Sequence, residues 1–200
     1  MASRIEDYAL IGDCETAALV SRDGCIDWLC WPRFDSAACF AALLGDANNG
    51  HWWIRPAASG ASANVRVQRR YVHDTLILET EFVTADGSAA VLIDFMPLRH
   101  GRVSSHVVRL VVGKHGTVPM RTELIVRCGY GGWIPWVTQS TAGELLAIAG
   151  PDQSDHCWVA NELVGCSRFH HRQQHHHAHE SCQWHGLLPN DLSVGSKYLT

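Results

Sequence analysis

This sequence predicts an all-β domain: an antiparallel β-sandwich with one short helix, followed by an irregular tail. Three observations carry that prediction. Apolar residues recur at every second position through the middle of the chain, Asp-Gly and Asn-Gly pairs fall between those runs, and both signals stop near residue 153. Period two places alternate side chains on opposite faces of a strand. Asp-Gly and Asn-Gly adopt the positive φ angles that tight hairpin turns require. No internal repeat of about 20–50 residues is present, so a solenoid or propeller is excluded.

The elements follow in order. Residues 16–20 and Cys25–Cys30 flank Asp23-Gly24 and form a hairpin. Within the second strand, Ile26, Trp28 and Cys30 share one face and Asp27, Leu29 and Trp31 the other, so one tryptophan is expected in the core and the other off the sheet. Pro32 ends the strand. A short helix is expected over 36–44, with Ser36 as cap, Phe40, Leu43 and Leu44 facing inward, and Gly45 as its stop. Asn49-Gly50 turns the chain into a strand at 51–54. Val65 and Val67, then Leu76, Leu78, Thr80 and Phe82, lie on one strand face. After Asp86-Gly87, Ala89, Val91, Ile93 and Phe95 form the inner face of the returning strand, which Pro97 ends. Val108, Leu110 and Val112 alternate again, as do Met120, Thr122, Leu124 and Val126 before the glycine-rich turn at 128–132. A last short strand is expected at 145–149.

Composition narrows the function classes. Two hundred residues make roughly one domain, large enough to bury a core without staples. Sixteen basic against twenty acidic side chains give a net charge of −4, which is no nucleic-acid footprint. No run of about 18 apolar residues exists, which excludes a membrane-spanning helix. Glu6 and Asp7 stand where a secretory signal needs positive charge, so a cytoplasmic location is expected. In that compartment thiols stay reduced. Cys14, Cys25, Cys30 and Cys39 are therefore expected as free, mostly buried thiols.

The first 153 residues hold five His and nine Ile, whereas the last 47 hold eight His and no Ile. Residues 5–153 are therefore read as the sandwich domain and 154–200 as a His/Cys-rich tail, disordered or translated in a shifted frame. His175, His176, His177, His179, Glu180 and Cys182 lack the Cys-pair spacing of structural zinc sites, so no metal site and no cofactor are expected.

The densest chemistry lies at residues 21–45. Trp28 and Trp31 beside Arg33 and Asp35 offer flat aromatic faces and fixed polar groups, which suit a sugar ring or a domain interface. The competing reading makes the tryptophans packing residues and Arg33–Asp35 a local pair, and the residues alone favour it. Among acidic residues, Glu79, Glu81, Asp86 and Asp94 are candidates for acid/base work. Glu79 and Glu81 share a face opposite Leu78 and Phe82, as on a solvated sheet surface. Gly129, Gly131 and Gly132 surround Tyr130 with no helix following, which argues against a phosphate loop.

Several separated motifs together resemble a known family. They are Ile5 to Asp13, Thr16 to Ser21, Asp23-Gly24, Ile26 to Cys30, Pro32 to Ser36, Tyr71, Thr75 to Thr80 and Val91 to Pro97. In this order they resemble the N-terminal domain of bacterial glycoside hydrolase family 15, the glucoamylase-like and trehalase-like proteins. Cys25 and Trp31 depart from the family pattern, where Ser and Leu are expected. The resemblance implies a β-sandwich leading into a helical (α/α)6 barrel that carries two catalytic carboxylates. It also implies inverting hydrolysis of α-glucosidic bonds, with the carboxyl groups about 6.5–9.5 Å apart. No helical array follows Gln153, so this chain is expected to be truncated before the barrel and to hold no catalytic residue. The expected partners are an α-glucoside or oligosaccharide in the complete enzyme and the helical barrel itself, met at residues 27–35; neither nucleic acid nor membrane is expected. The alternative is a non-enzymatic carbohydrate-binding or scaffold module.

Overall fold

A computed structural model describes residues 4–57, 64–99, 105–139, 145–148 and 156–159. Thirteen strands are described among these residues: β1 (Ala9–Gly12), β2 (Ala17–Val20), β3 (Cys25–Cys30), β4 (Ala38–Phe40), β5 (His51–Pro56), β6 (Arg66–Tyr71), β7 (Leu78–Val83), β8 (Ala89–Phe95), β9 (Val108–His115), β10 (Met120–Ile125), β11 (Trp136–Gln139), β12 (Leu145–Ile148) and β13 (His156–Val159). The fold is all-β and antiparallel. One sheet runs β1-β2-β3-β5-β10, with β4 also pairing to β3, and a second runs β6-β7-β8-β9. A small third sheet, β11-β12-β13, places Ala147 in the main core.

The first two sheets face each other. Ile11, Val20, Ile26 and Leu29 of the first meet Leu78 of the second in one buried cluster. Ile54 and Met120 meet Phe82, Ala90 and Leu92 in another. The hairpins follow the expected turn chemistry, since Gly24 and Gly87 both hold positive φ, 81° and 84°. Gly24 also has no room for a side chain, because a Cβ there would stand 2.6 Å from the Ile54 carbonyl oxygen.

Several expectations are corrected by the structure. The helix expected over 36–44 is instead strand β4 followed by a single 3-10 turn, Ala42–Leu44. The free edge of β3 accounts for this: Phe40 pairs with Leu29 and Ala38 with Cys30. Ser36 caps nothing helical, since its hydroxyl accepts from the Arg33 amide, and Leu44 points outward. The inner faces of β8 and β9 are also opposite in phase to the expectation. Ala90, Leu92 and Asp94 face inward on β8, and Arg109 and Val111 face inward on β9. The more apolar set, Val91 and Ile93 with Val112, lines the outer surface. An aspartate fits inside because Arg109 neutralises it there, and with both side chains fully buried the pair fixes the register Asp94↔Arg109.

Of the four N-terminal thiols, none forms a disulfide; Cys25, Cys30 and Cys39 are buried, whereas Cys14 is exposed. The sheet also extends past the compositional break, because β13 pairs with β12. The remaining tail, with its His and Cys candidates, lies outside the described residues.

One group in this core is stranded. The Thr80 hydroxyl is fully buried with no hydrogen-bond partner among the described residues. Thr80→Val keeps the shape and removes that group, so it is expected to raise stability by about 1 kcal/mol. The measurement is the urea midpoint; a decrease would mean that the hydroxyl is satisfied in solution.

Candidate functional site

The tryptophans of β3 and its end do not divide into one core and one surface ring; both are half-buried. Two register shifts explain why. The ladder slips between Leu19 and Val20 against β2, and between Leu29 and Cys30 against β4, so strict alternation fails. Trp31 packs on the main core, while Trp28 packs on Cys30, Ala38 and Ala41. Asp27 accepts a 2.8 Å hydrogen bond from the Tyr8 hydroxyl.

Beyond β3 the chain turns a tight corner through a cis Trp31–Pro32 peptide. Arg33 Nε donates to Asp35 at 3.0 Å, and both side chains stand in solvent. The hydrogen bond from Arg33 holds the Asp35 carboxyl below its ordinary range. The local pair expected from sequence is therefore present, and Phe34 is exposed beside it.

What holds this corner is a buried carboxylate that no sequence motif marks as a site residue. Asp13 sits in the β1–β2 turn, where its Oδ1 accepts from the amides of Glu15 and Thr16 at 3.0 and 2.8 Å. Those bonds brace Cys14, whose φ of 73° is costly for a residue with a side chain. Its Oδ2 accepts from Arg99 Nε and the Ser105 hydroxyl, both at 2.7 Å. Arg99 also donates to the Pro32 carbonyl, and Phe34 N donates to the Glu15 carbonyl at 3.0 Å. Burial pushes the Asp13 carboxyl up. The hydrogen bonds from Ser105, Arg99, Thr16 and Glu15 outweigh it and bring it down to about 2. Asp13 followed by Thr16 is a local turn signal. Arg99 and Ser105 join it from 86 and 92 residues away, a closure no local pattern reveals.

A second feature adjoins the far side of β3. The turn at 128–133 closes by paired backbone bonds between Cys128 and Trp133, each 3.0 Å. It is pinned to β4 by Tyr130 N donating to the Ala38 carbonyl at 3.2 Å. Tyr130 lies 6.0 Å from Trp28, ring centre to ring centre. Tyr130 is 50% exposed, Trp133 71% and Trp136 75%.

The acid/base candidates are engaged elsewhere. Glu79 pairs with Arg70 at 2.6 Å and Glu81 with Lys114 at 2.7 Å, around a concavity of 750 Å³ on the outer face of the second sheet. Asp86 caps its own turn through Thr84 and Ser88, and Asp94 is buried against Arg109. Two of the buried thiols are poor nucleophiles, since burial pushes Cys25 far up and also raises Cys30. Among the described residues no three His, Cys, Asp or Glu side chains gather as a metal site, and no helix is long and apolar enough to cross a membrane.

The described residues thus form an antiparallel β-sandwich with a polar anchor at the 13–35 corner and a separate turn of exposed aromatic rings at 128–136. Comparison with known proteins places it more closely. The family described as "Trehalase-like, N-terminal" matches residues 1–151, and the chain belongs to that family. It is similar to the trehalase of Mycolicibacterium smegmatis, 42% identical over 83 residues, covering 42% of this chain and 12% of that protein. A Thermoplasma volcanium trehalase is 36% identical over 102 residues, covering 50% of this chain and 16% of that protein. Trehalase 2 of Sulfolobus acidocaldarius is 34% identical over 125 residues, covering 62% and 19%. The matched part thus spans less than a fifth of these relatives' length. No solved structure gives a significant match.

Proposed function

We propose that this chain is the N-terminal sandwich module of a glycoside hydrolase acting on α-glucosidic bonds, with trehalose as the foremost substrate. The observation that carries this reading is the family match over residues 1–151 together with trehalase relatives of which it covers only the smaller part. In this reading hydrolysis is inverting, and the two carboxylates that perform it belong to a helical barrel outside these 200 residues. The engagement of Glu79, Glu81, Asp86 and Asp94 in structural contacts supports that division of labour. The corner at Trp31, Arg33 and Asp35, backed by Asp13 and Arg99, is the proposed seat for the barrel, and Trp28 braces its sheet. Five cysteines among the described residues, none of them in a disulfide, support a reducing, cytoplasmic compartment.

The 200-residue chain is expected to release no glucose from trehalose or maltose. Joined to the portion of the M. smegmatis trehalase beyond its matched segment, it is expected to restore trehalose hydrolysis that the portion alone lacks. Glucose release by the isolated chain, abolished by substituting one of its own acids, would overturn the reading.

A further inference from the structure

We infer that the turn at 128–133 carries a stacking platform for a neutral sugar, an α-linked glucose unit, with the Trp133 indole as its main surface and Tyr130 as its second ring. The inference rests on the glycoside hydrolase reading for the identity of the sugar, and on the turn's own geometry for the existence of the site.

The glycines around Tyr130 have a purpose in this geometry. Gly129 holds φ at +62°, and a Cβ there would stand 2.7 Å from Trp133 Cδ1 and 3.1 Å from its Nε1. Only a residue without a side chain lets the indole lie this close against the turn. Trp133 is thus backed by backbone on one side while 71% of the residue stays exposed. Gly131, with φ +95°, meets Asn49 in the same way. Asn49 Nδ2 donates to the Tyr130 carbonyl at 3.2 Å, so the 46–49 turn is locked to the aromatic one. Gly132 N donates to the Gly129 carbonyl at 3.1 Å, which tightens the turn further. The turn that carries the indole is closed by backbone hydrogen bonds and loses little backbone freedom on binding, a condition that favours measurable affinity from one stacking contact.

The chemistry around the rings selects the ligand class. Neither 46–49 nor 128–136 contains Lys or Arg, so these two turns themselves offer no counter-charge to a phosphate or nucleic acid. Asp46 and Asn48 are exposed on the locked turn, which therefore carries a carboxylate and an amide of its own. Flat rings on a turn tied to one that carries an amide and a carboxylate offer the kinds of group that suit the C–H faces and hydroxyls of a pyranose. Trp28, tilted 42° against Tyr130, supports the second ring from behind.

The test uses the 200-residue chain with 15N-labelled indoles, titrated with trehalose, maltose and maltoheptaose. The Trp133 Nε1 resonance is expected to shift saturably with a dissociation constant of about 1–10 mM, with Trp52 and Trp53 unmoved. Trp133→Ala is expected to weaken binding at least about tenfold without lowering the melting temperature, because the ring is exposed, and Trp133→Phe to retain part of the affinity. Gly129→Ala, which crowds the indole, is expected to weaken binding as well. No saturable shift with any of the three sugars, or binding unaffected by Trp133→Ala, overturns the proposal. So does a Trp133 that responds only to a protein partner. Such a failure leaves the module assignment intact, since that is read from restored trehalose hydrolysis and not from binding by the isolated chain.

Discussion

Arg109→Leu is expected to destabilise the sandwich by about 3–5 kcal/mol. Arg109 lies on the edge strand β9, yet its guanidinium is fully buried. Nε and Nη2 donate to the two Asp94 oxygens at 2.8 and 3.1 Å. Nη2 also reaches the Gly24 carbonyl at 2.7 Å, and Nη1 the Trp52 carbonyl at 2.6 Å. One side chain therefore fastens the second sheet to the hairpin turn and to β5 of the first, with its central carbon 5.0 Å from the Trp52 ring centre. Leucine fills part of the volume but leaves the Asp94 charge buried and alone, and that uncompensated charge dominates the loss. The Arg109→Leu, Asp94→Leu double variant is accordingly expected to recover part of it, because no lone charge remains. Urea unfolding of the three proteins measures this. A single-variant loss below about 1 kcal/mol, or a double variant worse than the single, would mean that the pair does not bear on stability as described.

The same pair marks where the sequence stops being legible. Period-two reading locates β7 and β10 and the faces they bury, because Leu78, Phe82, Met120 and Leu124 are apolar and their opposite neighbours polar. On β8 and β9 the rule chooses the wrong face, since Val91, Ile93, Leu110 and Val112 are more apolar than Asp94 and Arg109. Hydrophobicity alone has no account of a buried ion pair whose members lie on different strands. The strand β4 escapes the pattern for a related reason: its short apolar run reads equally as a helix, and only the free edge of β3 decides between them. At the candidate site, the Arg33–Asp35 pair is visible because its members are two residues apart. Asp13–Arg99–Ser105 is not, because chain closure over about ninety residues leaves no local trace. The Trp133 platform carries a signal of its own in the glycines flanking Tyr130, whose positive φ values mark a tight turn even where a phosphate loop does not fit.

Asp13→Asn is expected to cost about 2–3 kcal/mol at neutral pH, and its deficit is expected to shrink as the pH falls. The asparagine keeps an acceptor for the Thr16 and Glu15 amides but loses the charge that Arg99, itself nearly buried, is paired with. The pH dependence follows from the lowered ionisation of Asp13. Its carboxyl ionises near pH 2 in the folded chain against 3.8 for an unperturbed aspartate. The unfolded chain therefore takes up this proton first. The stabilisation from the ionised group is complete above about pH 5 and is lost as the pH falls through about 4 towards about 2. The gap between the folded and unfolded ionisation corresponds to about 2 kcal/mol, a share of stability that the variant cannot lose because it lacks the group. Wild type and Asp13→Asn should thus differ most above about pH 5 and converge near about pH 2, read from urea midpoints at each pH. Local consequences should accompany the global one. With Arg99 released from Asp13, its bond to the Pro32 carbonyl loses its anchor, and the Phe34 amide, bonded to the Glu15 carbonyl, should exchange faster with solvent than in the wild type. A constant gap between the two proteins from neutral pH down to about pH 2, with unchanged exchange at Phe34, would show that Asp13 is not what holds the corner that we propose seats the catalytic domain.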